Sequence, residues 1–173
     1  MVNNTRSTIF AYFLTAPVAM FVTGLFSSGV LQASEQADWK ACSQRLADSA
    51  TASLTGGERR ACVIAVAGTY LQWVRGDLAA AQLPLADDFK RRSLGTLRGD
   101  ATTGRTEFLQ DSRSDLIESA TEQEWAVDGD TAWAIFTVKL KASPEETHWV
   151  AERFIVTNGR ISDILALPPV VKP

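Results

Sequence analysis

The stretch Ile117-Glu-Ser-Ala-Thr-Glu-Gln-Glu-Trp-Ala-Val127, Asp128-Gly-Asp130, Thr131-Ala-Trp-Ala-Ile-Phe-Thr-Val-Lys-Leu-Lys141 decides the fold. Its second arm places Ala134, Phe136, Val138 and Leu140 on one face and Trp133 and Ile135 on the other. A period of two is the mark of a strand. An Asp-Gly pair between two such arms is a hairpin signal. Toward the C-terminus, Ala142–Glu146 reads as a turn and Thr147–Val156 as a strand. Asn158-Gly159 turns again, into a strand over Arg160–Leu167. Before Leu116 the period is helical. Thr55-Gly56-Gly57 breaks the chain, and a helix is expected from Glu58 to Arg75. It is apolar almost all round from Cys62 to Ala67 and continues through Tyr70, Leu71, Trp73 and Val74, so it should be covered on more than one side. Gly76 is placed to cap its C-terminus, and Asp77 to open a short helix ended by Pro84. A strand near Phe89–Ser93, a glycine-bearing loop and a helical turn over Glu107–Gln110 complete the order. Helices followed by an antiparallel meander predict an α+β fold, its long strands forming a strongly curved sheet around the helices.

The chain of 173 residues carries 17 basic and 20 acidic side chains, and Arg6 is the only charged one before Glu35. Residues 1–33 read as a secretory signal: a polar start, an apolar run from Ile9 to Phe26, and small residues ending in Leu31-Gln32-Ala33. The apolar run exceeds a normal signal core and approaches the ~20 residues that span a bilayer, so a retained membrane anchor is the alternative. Either way the remainder is delivered outside the cytoplasm, periplasmic or secreted. The expected divisions are 34–57 as a helical extension, 58–168 as the folded domain and 169–173 as a tail.

A mildly acidic domain with no basic run is a poor partner for nucleic acid. One histidine and two cysteines exclude the usual four-ligand zinc sites, and no cofactor is implied. In an oxidising compartment Cys42 and Cys62 read as a disulfide, stapling an N-terminal helical segment (Ala37, Trp39, Cys42, Leu46) to the next helix. Closing that loop of about 21 residues is worth on the order of 3 kcal/mol. Two Arg-Gly-Asp triplets, at Arg75–Asp77 and Arg98–Asp100, are explained by helix capping and by a loop.

Tyr70-Leu-Gln-Trp-Val-Arg-Gly-Asp77, Leu83-Pro-Leu-Ala-Asp-Asp88, Gly129-Asp-Thr-Ala-Trp-Ala-Ile-Phe-Thr-Val138 and Glu152-Arg-Phe-Ile-Val-Thr-Asn-Gly-Arg-Ile-Ser-Asp-Ile164 together resemble the nuclear-transport-factor-2-like superfamily. This group includes ketosteroid isomerases and SnoaL-type polyketide cyclases, and the Leu83–Asp88 stretch looks closest to its exported domains of unknown function. The resemblance runs from Glu58 to Leu167. It implies a cone-shaped α+β barrel with an apolar pocket between sheet and helices, often dimeric through the outer sheet face. Fold analogy does not carry function on a scaffold that hosts enzymes, binders and structural modules.

Alternation puts Phe136 and Val138 on the face that the resemblance assigns to the pocket, with Val150, Phe154 and Trp73 as further lining. The comparison lays Glu152-Arg153-Phe154 over the isomerases' Asp-His-Phe, whose aspartate donates a hydrogen bond in the site. Glu152 alternates with Val150 and Phe154, so it points inward if they do. A carboxyl in an apolar pocket has its pKa raised by desolvation and can serve as acid or base; a solvated or salt-bridged glutamate is the plainer reading. His148, the sole histidine, shares that strand face about 13 Å away and is either a proton-transfer group or a solvated rim residue. Tyr70, or Thr69 beside it, matches the isomerases' oxyanion tyrosine; otherwise Tyr70 is a buried tyrosine with an ordinary partner. Where the isomerases carry their aspartate base, this chain has Arg91-Arg92-Ser93, so steroid isomerisation does not transfer. Only fragments of the related hydrolase and dehydratase networks are present: Asp88, Arg91, His148 and Glu152.

Two readings follow. One is an exported domain that binds a small apolar molecule and isomerises, dehydrates or hydrolyses it by acid–base catalysis through Glu152, Tyr70 and His148. The other is a non-catalytic interaction or dimerisation domain that uses Trp133, Ile135, Trp149 and Ile155, with a membrane-anchored variant if the N-terminal segment is retained.

Overall fold

A computed structural model describes residues 38–48, 54–96, 99–110 and 113–171. The signal segment 1–33, Ala37 of the helical stripe and Arg98 of the second Arg-Gly-Asp triplet lie outside them. Helix α1 spans Trp39–Ala47, with Asp38 accepting from the Lys40 amide and Cys42 and Leu46 turned inward. Helix α2 spans Gly56–Arg75. Its start is two residues earlier than expected, because Thr55 and Glu58 form a capping box that leaves Gly56 and Gly57 in the first turn. Gly76, at φ 83°, ends the helix as expected, with the Asp77 amide returning to the Gln72 carbonyl at 2.8 Å. Asp77 caps no helix; it pairs with Arg75, and the segment before Pro84 makes only a 3-10 turn at Ala80–Gln82. Pro84 forces Leu83 into extended geometry, which leaves too few residues for an α-helix.

Strand β1 runs Leu85–Thr96, well beyond the short segment expected. The glycine-bearing region that follows is strand β2, Gly99–Gly104, folded back antiparallel on β1. Helix α3 covers Arg105–Leu109 and buries Phe108. Strands β3 (Ile117–Asp128) and β4 (Thr131–Leu140) form the expected hairpin, with Gly129 at φ 57°. Strand β5 begins at Ser143 and runs to Thr157, so the turn expected through Glu146 closes by Ala142. Strand β6, Arg160–Ala166, follows Asn158 and Gly159, both at positive φ. Val170–Val171 form a short β7 where a tail was expected.

The curved sheet has the order β2-β1-β6-β5-β4-β3, with β7 also on β5. β1 and β6 form its parallel pair. The chain between them, from β2 through α3 to β5, is the long crossover that a parallel pair requires. α2 lies across the inner face. The core joins Val63, Val66 and Leu71 of the helix to Phe89, Phe154 and Ile164 of the sheet. Cys42 and Cys62 form a disulfide with Cα atoms 4.8 Å apart, fastening α1 to α2. α1 also meets the β5–β6 turn, where Ser43 Oγ donates to the Gly159 carbonyl at 2.7 Å. A Cβ on Gly159 would overlap the Ser43 carbonyl, so both the contact and the backbone require glycine there.

Candidate functional site

Three elements bring polar side chains into the apolar space between α2 and the sheet. Tyr70 comes from the last turns of α2, Arg91 from β1 and Glu152 from β5. Glu152 is 3% exposed and Arg91 4%. The Tyr70 hydroxyl donates to Glu152 Oε1 at 3.1 Å, and Arg91 Nη2 donates to the same oxygen at 3.3 Å. Arg91 Nη1 donates to the Ser93 hydroxyl two residues along β1. Glu152 is therefore not a carboxyl alone among hydrocarbon, as the argument from desolvation assumed. A guanidinium sits against it, and a nearby cation favours the ionised carboxylate. Burial works to lower the Arg91 pKa, but Tyr70 and Glu152 outweigh it and hold Arg91 above its ordinary value, a fixed cation.

A cavity of about 120 Å³ opens beside this cluster. Tyr70, Arg91 and Glu152 line one part of it. Phe136, Val138 and Val150 form its apolar wall. In register, Ala134 faces Glu152, Phe136 faces Val150 and Val138 faces His148, so β4 and β5 line it together. Trp73 and Phe154 do not line it. They pack behind Tyr70, with ring centroids 5.4 and 5.3 Å from it. Thr69 is fully buried with its hydroxyl on the Val66 carbonyl, so Tyr70 is the one that reaches the cavity. Asp88 is exposed and outside the lining. His148 reaches the cavity and is 8% exposed, with the Glu146 carboxylate 3.6 Å from Nε2. It lies four strand residues from Glu152, about 13 Å along β5, and takes no part in the Tyr70–Arg91–Glu152 cluster. Among the described residues, no group of three or more His, Cys, Asp or Glu side chains could hold a metal ion.

No protein-family model and no curated protein matches the chain in sequence. Solved structures do match in shape. An NTF-2 like protein of unknown function from Burkholderia xenovorans LB400 aligns with a TM-score of 0.50 at 13% identity, over 64% of this chain and 87% of that one. The fold is nuclear-transport-factor-2-like. A protein with a ketosteroid isomerase-like fold from Catenulispora acidiphila, in complex with trimethylamine, aligns at TM-score 0.47 and 20% identity, over 58% of this chain and 82% of that one. An LEH-like epoxide hydrolase of M. tuberculosis aligns at TM-score 0.47 and 17% identity, over 61% and 80%.

At these identities the nuclear-transport-factor-2-like fold is what is shared, and the chemistry must come from the side chains. Ser93 was not singled out from the sequence, and Arg91 was singled out only as a fragment of the hydrolase and dehydratase networks. They stand where the resemblance led one to look for an aspartate, and so read as a gap. The available signal was alternation: Phe89, Arg91 and Ser93 share one face of β1, and Phe89 is an unmistakable core residue.

Proposed function

We propose that the chain binds a small, largely apolar molecule in this cavity and acts on it by general acid–base catalysis. The observation that carries the reading is the buried carboxylate of Glu152, held by both Tyr70 and Arg91 at the cavity wall. In the proposed reaction Glu152 is the base, because the adjacent cation favours its ionised form. It takes a proton from the substrate or from a water; that protonation weakens Glu152 as an acceptor, and the Tyr70 hydroxyl turns its one hydrogen bond from Glu152 to the oxygen that gains charge. Returning that proton to carbon completes an isomerisation, and returning it to a leaving hydroxyl completes a dehydration. Deprotonating a water begins a hydrolysis. The cavity volume supports a substrate of roughly the size of one ring, since an apolar cavity of about 150 Å³ accommodates benzene.

The test is incubation of the full chain with small cyclic enones, β-hydroxy ketones and epoxides. Turnover of one class is expected, and Glu152→Gln should lower it by about 10²–10⁴-fold while that compound still binds. A panel without turnover, or turnover unchanged in Glu152→Gln, defeats the catalytic reading.

Export accords with the apolar N-terminal run and the disulfide. A second reading, a protein-binding or homodimeric face, draws on the outer side of β4. There Trp133 and Ile135 are 37% and 38% exposed, with Trp149 and Ile155 of β5 partly exposed beside them.

A further inference from the structure

We infer that the cavity is shaped for an uncharged molecule with a polar group at each end, one held at Arg91 and the other at His148. The inference rests on the reading of the cavity as a ligand site and specifies what that site takes. Two nitrogens of its lining, Arg91 Nε and His148 Nε2, are buried and have no hydrogen-bond partner among the described residues. Buried polar atoms are nearly always satisfied, and one left without a partner is costly. Glu146 does not supply the missing bond to His148: its carboxylate stands at 3.6 Å and is half exposed at the rim. A ligand oxygen at each nitrogen completes both.

The space between the two poles dictates the rest of the ligand. His148 and Glu152 project from the same face of β5, about 13 Å apart along the strand. Val150 lies between them, with Phe136 and Val138 opposite on β4. The middle of the ligand must therefore be hydrocarbon. Charge is the second constraint. Arg91 and Glu152, both buried, cancel each other at one pole, so an ionic group there would bring an uncompensated charge among buried side chains. A hydroxyl suits the His148 end because it can donate to or accept from an imidazole nitrogen, whichever tautomer is present.

The test uses n-hexanol, its α,ω-diol (hexamethylene glycol) and n-hexanoate as probes on the full chain. Binding is followed by NMR, including the imidazole resonances, which are unambiguous because His148 is the chain's single histidine. The diol should bind about fivefold more tightly than hexanol, the gain from one buried hydrogen bond, and should shift the imidazole. Hexanoate should bind no more tightly than hexanol. His148→Phe, which keeps a ring in place, should erase the diol's advantage, and His148→Gln, which restores a polar donor, should keep part of it. Equal binding of diol and hexanol, or tightest binding by hexanoate, overturns the inference and leaves the cavity as a ligand site. No saturable shift with any of the three overturns both the inference and the reading beneath it.

Discussion

At Glu152 burial and the neighbouring side chains act in opposite directions. Burial alone disfavours a charged carboxylate, but the Arg91 guanidinium lies 3.3 Å away and the Tyr70 hydroxyl 3.1 Å. Removing either partner of such a pair leaves a charge in the core without its counterion. Arg91→Leu or Glu152→Leu should therefore cost about 3–5 kcal/mol, read from urea unfolding. The double replacement by two leucines should recover much of that loss. If the double variant were no more stable than the worse single one, the two groups would not be acting as a pair. How legible these residues were in the sequence follows from the same geometry. Glu152 and Tyr70 could be singled out because one interrupts an apolar alternation and the other is the single tyrosine in the described chain. Arg91 entered only as a fragment of a hydrolase or dehydratase network, because nothing local indicates the carboxylate 61 residues away that it meets. The depth of Trp73 and Phe154 was hidden for a related reason. Alternation tells which face a residue occupies, and the packing of α2 decides which part of that face is cavity and which is core.

Among the elements, α2 supplies Tyr70 to the site, and its ends are the best specified. Thr55 and Glu58 close its first turn, and the Glu58 carboxyl is lowered from 4.5 to about 2. The Thr55 backbone amide is the first cause, followed by Arg45 and the Thr55 hydroxyl. A folded-state pKa below the unfolded value means stability that is present above about pH 4.5 and is lost as the pH falls toward 2. NMR titration should place the Glu58 midpoint near 2, and Glu58→Gln should flatten this part of the acid dependence. A midpoint near 4.5 would show that the capping box is not formed in solution. The disulfide acts at the same end. Replacing Cys42 and Cys62 by serine should lower stability by about 3 kcal/mol, by the entropy of the released loop, read as an earlier thermal transition; an unchanged transition would mean that α1 docks without it. The Gly76 end of α2, the β3–β4 hairpin and the Asn158-Gly159 turn were legible because left-handed caps and positive-φ turns are local in sequence, whereas the capping box that starts α2 was not read. β2 and β7 were not. A short strand acquires its identity from its partner, here Arg91–Ser93 for β2 and His148–Trp149 for β7.

Over the whole molecule, the helix-then-meander order led to the α+β fold and to the curved sheet around α2, and the structural likeness agrees. The parallel pairing of β1 and β6 was beyond it, because register between strands some seventy residues apart is set by tertiary packing rather than by either segment. That pairing matters for function. It places Arg91 beside Ile164 and so carries the guanidinium into the sheet's interior, next to β5 and Glu152. The central claim is that the space this creates is a ligand site, and a titration of the full chain with cyclohexanone tests it most directly. Saturable shifts are predicted in the methyl resonances of Val138 and Val150, and they should persist in Glu152→Gln. Shifts confined to Trp133 and Ile135 on the outer face, or none at saturation, would contradict the account.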